Sequence, residues 1–267
     1  MPPMNDSAAG GCMLRGEPHP VEIAASLTST NTVMKERAAT LPHGYTLAAR
    51  SQTAGRGQRG NSWESLPGRN LTFSILLRPE HIAPARQFVI SEAVALGIAG
   101  VIDRYLPQGM TTAIKWPNDI YAGDRKICGI LIEHTLGTCS GITYTVAGAG
   151  VNINQERFCS DAPNPVSLRQ ITGVEYELDT LLSEFADNII GEFEGADTTD
   201  AAAAEALHRR FMARMWRNDG AMHPFRLPSG EVFMASVASV APDGRLTLVD
   251  RDGVARHFYF KEVAFVL

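Results

Sequence analysis

Apolar and polar residues alternate along the chain with two different periods, one typical of helices and one typical of strands. Apolar residues at helical spacing predict amphipathic or buried helices over 88–106, 178–193 and 199–216. Runs rich in β-branched and aromatic residues predict strands at 45–49, 70–79, 113–116, 126–133 and 142–153. A further helix is expected after Ser29 or Thr30, either of which is a suitable N-cap. The pattern therefore predicts a sheet whose strands are interleaved with helices.

The two ends of the chain differ from this central pattern. Residues 1–20 are rich in Gly, Pro and Ala and predict a flexible tail. Near the other end, Pro-Ser-Gly, Pro-Asp-Gly and Arg-Asp-Gly turns separate short predicted strands at 231–240, 246–250 and 254–260. Turns at such regular spacing indicate a small β-barrel or meander. We therefore predict a tail at 1–20, a main domain at 21–217 and a small β-barrel domain at 218–267.

Composition and charge limit the classes of function. Apolar residues make up 45% of the 267 residues and charged residues 20%, which is typical of a folded globular protein. The 24 basic and 29 acidic residues give a formal charge of −5, so no general basic surface attracts nucleic acid or anionic membranes. Any anion site must be built locally. The chain contains few lysines with which to build one: Lys35, Lys115, Lys126 and Lys261.

The cysteines and the N-terminal segment carry no metal-binding or targeting signal. The 4 cysteines form no CxxC pair and have no histidine at ligand spacing, which argues against a zinc site or a disulfide framework. The sequence shows neither a signal peptide nor an apolar run long enough to span a membrane. We therefore expect a cytoplasmic protein without a membrane partner.

A loop rich in glycine and arginine lies between two predicted strands. Residues 55–60 are Gly-Arg-Gly-Gln-Arg-Gly, and Trp63 follows. The loop matches GxGxxG but leads into a strand rather than a helix, which argues against a dinucleotide-binding fold. The absence of HRD and DFG tripeptides argues against a protein kinase. Glycine amides, the guanidinium groups of Arg56 and Arg59 and an indole together suit a nucleotide, and a mobile surface loop is the alternative.

A second cluster, Ile-Lys-Trp-Pro-Asn-Asp at 114–119, ends a predicted strand. Alternation places Lys115 on the opposite face from its two apolar neighbours, at a strand end beside a loop. Lys115 is therefore either a snorkelling surface lysine or a compact charge placed for chemistry. Asn118 and Asp119 serve either as turn residues or to orient Lys115 or a metal-bound phosphate.

The next strands add a cation, glycines and an amide. Lys126 opens one predicted strand, and Gly129 within it marks a close approach of backbone or ligand. Asn152 ends the following strand with a side chain that either binds a purine edge or satisfies the strand end. No GxSxG, HExxH or GxxxxGK[ST] motif supplies a nucleophile. Charges of this kind favour electrostatic stabilisation of a phosphate while two substrates react with each other.

These clusters, in this order, resemble the motifs of the biotin protein ligases. The matching segments are Ser-Thr-Asn, GRGQRGNSW, KWPNDI, KICGILIE and GAGVNIN. The resemblance implies an α+β fold in which a mixed or antiparallel sheet is flanked by helices, followed by a small C-terminal SH3-like β-barrel. It also implies a ligase domain that forms biotinyl-5′-AMP from biotin, ATP and Mg²⁺. The biotinyl group would then pass to a lysine of a biotin carboxyl carrier protein.

The resemblance assigns roles to individual residues. Lys115 and Arg56 are the expected catalytic residues. The expected biotin-binding residues are Ser29, Thr30, Asn31, Gln52, Arg56, Gly57, Gln58, Lys115 and Gly129. The expected nucleotide-binding residues are Arg56, Arg59, Trp63, Asn118, Lys126 and Asn152. No residue is assigned to the metal.

Two features depart from the family pattern. In some bacterial members the position of Gln58 is a second arginine, so retention of the adenylate would depend more on Arg56 and Arg59. Some members also carry an N-terminal helix-turn-helix. Because only the predicted tail at 1–20 precedes the main domain, we expect a short ligase that does not bind DNA. A homodimer through the sheet edge is compatible with the resemblance.

Two alternative functions stay open on the sequence alone. A lipoate or octanoate ligase or transferase would share the fold, although the RRxxGG-type signature of those enzymes is absent. A non-catalytic nucleic-acid-binding protein would use GRGQRG as an RGG-like segment and the terminal barrel as an RNA platform. The acidic charge and the absence of low-complexity repeats argue against this alternative.

Overall fold

A large mixed sheet forms the centre of the fold. The structure, a computed structural model, describes residues 12–15, 19–57, 62–80, 82–137, 141–159 and 164–266. The strands of the sheet are β1 Cys12–Arg15, β2 Val21–Ala24, β3 Thr46–Ala49, β4 Leu71–Leu77, β5 Thr112–Lys115, β6 Asp119–Ala122, β7 Arg125–Leu136 and β8 Ile142–Val151. Their order is β1-β2-β3-β4-β8-β7-β6-β5. Because β2 and β3 are parallel and the other neighbours are antiparallel, the predicted mixed sheet is confirmed.

Helices cover both faces of this sheet. They are α1 Thr30–Arg37, α2 Phe88–Tyr105, α3 Leu168–Thr172, α4 Leu178–Glu194 and α5 Ala201–Ala213. Alternation along β4 separates two apolar clusters: Phe73 belongs to the cluster that includes α2 and α4, whereas Leu76 belongs to the cluster of Met34 of α1 on the opposite face. The ring centroids of Phe73 and Phe185 lie 6.0 Å apart across the larger cluster. None of the described helices is long and apolar enough to cross a membrane.

A second, antiparallel sheet follows the main one. Its strands are β9 His223–Arg226, β10 Val232–Val240, β11 Leu246–Asp250, β12 Ala255–Phe258 and β13 Ala264–Phe265. Their order is β12-β11-β10-β9-β13, which is consistent with the predicted small barrel-like unit. The ring of Phe260 packs against Trp116 at 5.3 Å, and the Trp116 Nε1 donates to Gly244 O at 3.0 Å. The small sheet therefore packs directly beside the end of β5.

Differences from the predicted elements include the N-terminal segment, the chain between β5 and β7, and the end of α5. The tail prediction is wrong for Cys12–Arg15, which pairs antiparallel with β2 as an edge strand. Asp119, predicted as part of a turn, instead begins β6, a strand that was not predicted and that forms because its backbone pairs with both β5 and β7. Helix α5 ends at Ala213 rather than at residue 216, since Met215 bridges to Ile114 at the edge of β5. The domain boundary at 217–218 stays a prediction.

Candidate active site

A cavity of about 750 Å³ lies on the face of the large sheet that carries α1. The floor of the cavity is formed by residues that are paired across neighbouring strands. Neighbouring strands place five cavity residues in one row: Lys115, Asp119, Gly129, Gly150 and Thr72. The row crosses β5, β6, β7, β8 and β4, so residues that are distant in the sequence meet at one end of the sheet.

Two glycines of β8 leave space above the sheet at the floor of the cavity. A Cβ atom at Gly148 would collide with the side-chain amide of Asn31, and one at Gly150 would overlap the indole of Trp63. Gly129 of β7 pairs with Gly150, and its added Cβ would lie 2.9 Å from the Trp63 ring. The glycines therefore allow Asn31 and Trp63 to lie directly on the sheet, as expected where a strand is closely approached.

Polar side chains close one end of the cavity. Ser29, Thr30 and Asn31 are buried at the start of α1, and Ser74 of β4 lies beneath them. The Ser74 hydroxyl is 2.8 Å from Thr30 Oγ1 and 2.7 Å from Asn31 Oδ1. Ser29 occupies the predicted N-cap position, but its hydroxyl accepts no bond from the helix amides. Its side chain is therefore available to a ligand.

The glycine-rich loop is attached beside this polar end. Thr53 N and Ala54 N donate to Leu27 O and Thr28 O, both at 2.9 Å. The Gln52 Oε1 accepts from the Thr30 amide at 2.7 Å. These bonds hold the beginning of the loop against the residues that precede α1, which explains why two distant motifs line one cavity.

Lys115 lies at the opposite end of the cavity, enclosed by aromatic rings. Its Nζ is 3.1 Å from the Tyr121 hydroxyl and 5.9 Å from the centroid of the Trp216 ring. Burial lowers the pKa of Lys115, the charge of Asp119 opposes this effect, and the charges of Lys126 and Arg217 add to it. Burial also raises the pKa of Tyr121, so its hydroxyl stays neutral beside the ammonium group.

Lys126 provides a second cation near Lys115. Its Nζ forms an ion pair with Asp119 Oδ1 at 2.7 Å and lies 5.6 Å from the centroid of the Trp63 ring. Asp119 therefore balances part of the positive charge at this end of the cavity. The remaining excess of positive charge suits an anionic ligand.

Unpaired buried polar atoms mark the wall near Trp63. Neither Trp63 Nε1 nor Asn152 Oδ1 has a hydrogen-bond partner among the described residues. The Asn152 amide is fixed by donation to Val166 O at 3.1 Å, which leaves its oxygen as an acceptor beside the cavity. Buried polar atoms without partners are costly, so these two atoms are candidates for ligand contacts.

Arg56 lines the cavity from the glycine-rich loop. Its Nη1 and Nη2 donate to the two carboxylate oxygens of Glu133 at 3.3 and 3.2 Å. Glu133 is also bound by Asn31 Nδ2 at 3.0 Å and by Lys35 Nζ at 3.1 Å. One carboxylate thus connects the loop, α1 and β7.

The structure brings the predicted site residues within its described ranges into this cavity. They are Ser29, Thr30, Asn31, Gln52, Arg56, Gly57, Trp63, Lys115, Asn118, Lys126, Gly129 and Asn152. Gln58 and Arg59 lie outside the described residues, and their assigned roles stay predictions. Asn118 donates its amide to Ile130 O, which supports the turn that carries it. Placement in the cavity does not by itself assign a role to any of these residues.

Several residues in or beside the cavity were missed by the sequence analysis. Tyr121 lines the cavity, and Ser74 supports Thr30 and Asn31 from the sheet below; both come to the site only through strand register. Lys261 enters from the small sheet, where φ is 71° and the adjacent Phe260 packs against Trp116. A count of the scarce lysines was the one sequence signal that could have drawn attention to Lys261. Glu133 belongs to the KICGILIE motif but was given no role.

No group of three His, Cys, Asp or Glu residues that could hold a metal ion occurs within the described residues. Asp119 is the carboxylate of the cavity row, and it is already paired with Lys126. The described side chains therefore do not define a protein-only site for Mg²⁺, which prefers several oxygen ligands.

Comparison with known proteins identifies the family. Residues 23–152 match the model described as the Biotin/lipoate A/B protein ligase family. The chain is 33% identical over 170 residues to the biotin–[acetyl-CoA-carboxylase] ligase of Paracoccus denitrificans, covering 61% of this chain and 70% of that protein. It is 28% identical over 247 residues to the bifunctional ligase/repressor BirA of Escherichia coli, covering 91% of this chain and 73% of that protein.

Solved structures show the same fold. The biotin protein ligase from Aquifex aeolicus in complex with biotin and ATP aligns with a TM-score of 0.74 and 20% identity, covering 91% of this chain and 97% of that chain. The Leishmania major ligase in complex with biotinyl-5-AMP aligns with a TM-score of 0.62 and 22% identity, covering 91% of this chain and 100% of that chain. The chain belongs to the biotin/lipoate A/B protein ligase family. Within it, the Paracoccus denitrificans relative is a biotin–[acetyl-CoA-carboxylase] ligase.

Proposed function

We propose that this protein is an ATP-dependent biotin–protein ligase. A carboxylate oxygen of biotin attacks the α-phosphorus of ATP, the bond to the bridging oxygen breaks, and pyrophosphate leaves. The neutral ε-amine of an acceptor lysine then attacks the acyl carbon of biotinyl-5′-AMP, releases AMP and loses a proton. Both nucleophiles belong to substrates, which fits a cavity whose described walls offer charges and hydrogen bonds instead of an activated nucleophile.

The observation that carries the proposal is a buried polar end and a half-buried lysine in one cavity. Biotin has a ureido group with two N–H donors and a carbonyl acceptor, which suits the hydroxyl and amide groups of Ser29, Thr30 and Asn31. Thr30 and Asn31 already have partners within the protein, but a lipoyl or octanoyl chain would leave the buried Ser29 hydroxyl unpaired, at a cost of about 1–3 kcal/mol. The polar end therefore favours biotin over the alternative substrates of the same fold.

The nucleotide would occupy the side of the cavity lined by Trp63 and Asn152. The indole offers a flat surface for adenine, and Asn152 Oδ1 would accept a hydrogen bond from the adenine amino group. Lys126 lies beside Trp63 and would bind phosphate oxygens after exchanging its contact with Asp119. Mg²⁺ would enter as the magnesium complex of ATP, and no residue is assigned as its ligand.

Lys115 would stabilise the charge that develops at the reacting centre. Its ammonium group, enclosed by Tyr121 and Trp216, is positioned before the substrates arrive and loses little orientational freedom on binding. It would contact the biotin carboxylate and the α-phosphate together. Bringing these two anions to one cation overcomes their mutual repulsion, which is otherwise the main obstacle to adenylation.

The acceptor would be a lysine on a biotin carboxyl carrier protein. The purified protein, given biotin, magnesium and ATP, should add one biotinyl group to a carrier domain, as seen by mass spectrometry. The same domain with arginine in place of its acceptor lysine should stay unmodified. Because ATP is a substrate, a cytoplasmic location is part of the proposal. A homodimer through the sheet edge is proposed from the family resemblance alone. Failure to label the carrier while the adenylate still forms would leave the first step intact and refute this acceptor.

The charge of Lys115 should set the alkaline limit of the reaction. Because its pKa is lowered in the free protein, kcat/KM for ATP should be constant below that pKa and fall as pH rises through it. The fall should begin below the ordinary lysine value of about 10.4. Lys115→Arg keeps the positive charge and should move the limit to higher pH, even if the overall rate is lower. An identical limit in both proteins would assign it to another group.

A further inference from the structure

Glu133 binds three side chains that come from two separate parts of the chain. Oε1 accepts from Lys35 Nζ at 3.1 Å and Arg56 Nη2 at 3.2 Å. Oε2 accepts from Asn31 Nδ2 at 3.0 Å and Arg56 Nη1 at 3.3 Å. Arg56 is thus held by both oxygens of one carboxylate, a geometry that fixes direction as well as distance.

The sheet places this carboxylate beside the cavity, one alternate position beyond Leu131, which lines it. Gly129, Leu131 and Glu133 are alternate residues of β7, so their side chains share the face that carries α1. Asn31, which lies over Gly148, also donates to Leu131 O at 3.2 Å. The Glu133 side chain is therefore connected to the floor of the cavity through a buried residue, and it is only 17% exposed.

Glu133 is ionised in this environment. Burial raises its pKa, but hydrogen bonds from Asn31 and Lys35 and the charge of Arg56 outweigh burial and hold the pKa below its ordinary value. The carboxylate is therefore negative at neutral pH and available to bind a guanidinium group.

Arg56 depends on Glu133 for its position. Its backbone forms an isolated bridge with Ser62, but its side chain extends from the loop and is 45% exposed. Among the described residues, Glu133 is the one side chain that accepts a hydrogen bond from it. In this paired position Arg56 lines the cavity, and its remaining N–H groups are not used by Glu133.

We propose that Glu133 is a positioning residue that holds Arg56 against the cavity and so prolongs the binding of the adenylate. The inference rests on the proposed ligase function, in which Arg56 contacts biotinyl-5′-AMP. Without Glu133, Arg56 must be ordered by the ligand alone, and the loss of side-chain freedom then weakens binding. The adenylate should consequently leave sooner.

The test measures how long the adenylate stays bound. Biotinyl-5′-AMP is formed on the enzyme from labelled ATP, separated from free nucleotide, and its release is followed with pyrophosphatase present and no acceptor. Glu133→Gln keeps the size of the side chain but removes the charge, and it should release the adenylate about threefold to tenfold faster. Lys35→Gln removes another cation from the same carboxylate without touching the cavity, and it should release the adenylate at the unmodified rate.

A double variant distinguishes positioning of Arg56 by Glu133 from a general loss of order in the site. Arg56→Gly should release the adenylate faster than either variant above, and it should label bystander proteins with biotin. If Glu133 acts through Arg56, adding Glu133→Gln to Arg56→Gly should change the release rate less than twofold, whereas independent loosening would multiply the two effects. This comparison stays valid if Glu133→Gln lowers stability.

The possible results distinguish failure of the proposed role of Glu133 from failure of the proposed ligase function. An unmodified protein that forms no adenylate would refute the proposed function. An unmodified protein that forms it, together with a Glu133→Gln variant that releases it at the same rate, would refute only the role of Glu133. A slower release from Glu133→Gln would mean that Glu133 competes with the ligand for Arg56, and it would also overturn the inference.

Discussion

Replacing Lys115 with alanine is expected to slow formation of biotinyl-5′-AMP by about 10²–10³-fold. The lysine is enclosed by Tyr121 and Trp216, so a mobile surface cation cannot easily replace it. Its loss leaves two anionic substrates facing each other in a partly buried site. Single-turnover formation of the adenylate from labelled ATP measures this step without interference from product release.

Lys35 offers a matched control for Lys115. It is also one of the few lysines of the chain, but it binds Glu133 at the surface and does not line the cavity. Lys35→Ala should therefore form the adenylate at a rate within about twofold of the unmodified protein, as for most surface substitutions. Turnover close to normal in Lys115→Ala would show that Lys115 has a structural role.

Replacing Gly150 with valine is expected to weaken ATP binding by about 10- to 100-fold, the effect of losing one base-stacking contact. The new side chain would occupy the space of the Trp63 indole, so the ring must leave its position on the sheet. The contact of Lys126 with that ring would be lost at the same time. Titration calorimetry with ATP, in the presence and absence of biotin, measures the change.

A glycine of the same strand region controls for a general effect on the sheet. A Cβ atom at Gly141, just before β8, meets no atom within 4 Å, so Gly141→Ala should bind ATP normally. Normal binding of ATP by Gly150→Val would show that Trp63 does not stack on the nucleotide. Loss of binding in both variants would instead indicate that the strand as a whole had been disturbed.

Strongly periodic segments were predictable from the sequence. Leu178–Glu194 carries a continuous apolar stripe, and Leu71–Leu77 is buried throughout, so each pattern has one consistent explanation. The strand Asp119–Ala122 was not predicted because it has only 4 residues and lies between turns at 116–118 and 123–124. It forms a strand because its backbone pairs with β5 and β7. Strand formation there depends on tertiary contacts, which local propensity does not contain.

In the candidate site, some residues could be predicted from local motifs, whereas others are recognised only when the strands are paired. Lys115, Arg56 and Trp63 could be singled out because their residue types are unusual in their surroundings. Ser74 and Glu133 carry no local signal, since each is an ordinary polar residue in a strand. Their importance arises because cross-strand register and alternation place them under α1, facing Asn31. Such positions become visible only when the strands are paired.

The specificity of the first step is the most direct test of the central claim. Purified protein with ATP, magnesium and labelled pyrophosphate should show exchange of label into ATP when biotin is added, and little exchange without it. Lipoate or octanoate should not replace biotin, because neither has a ureido group to bond with the buried polar end formed by Ser29, Thr30 and Asn31. Exchange that depends on lipoate but not on biotin would contradict the proposed function.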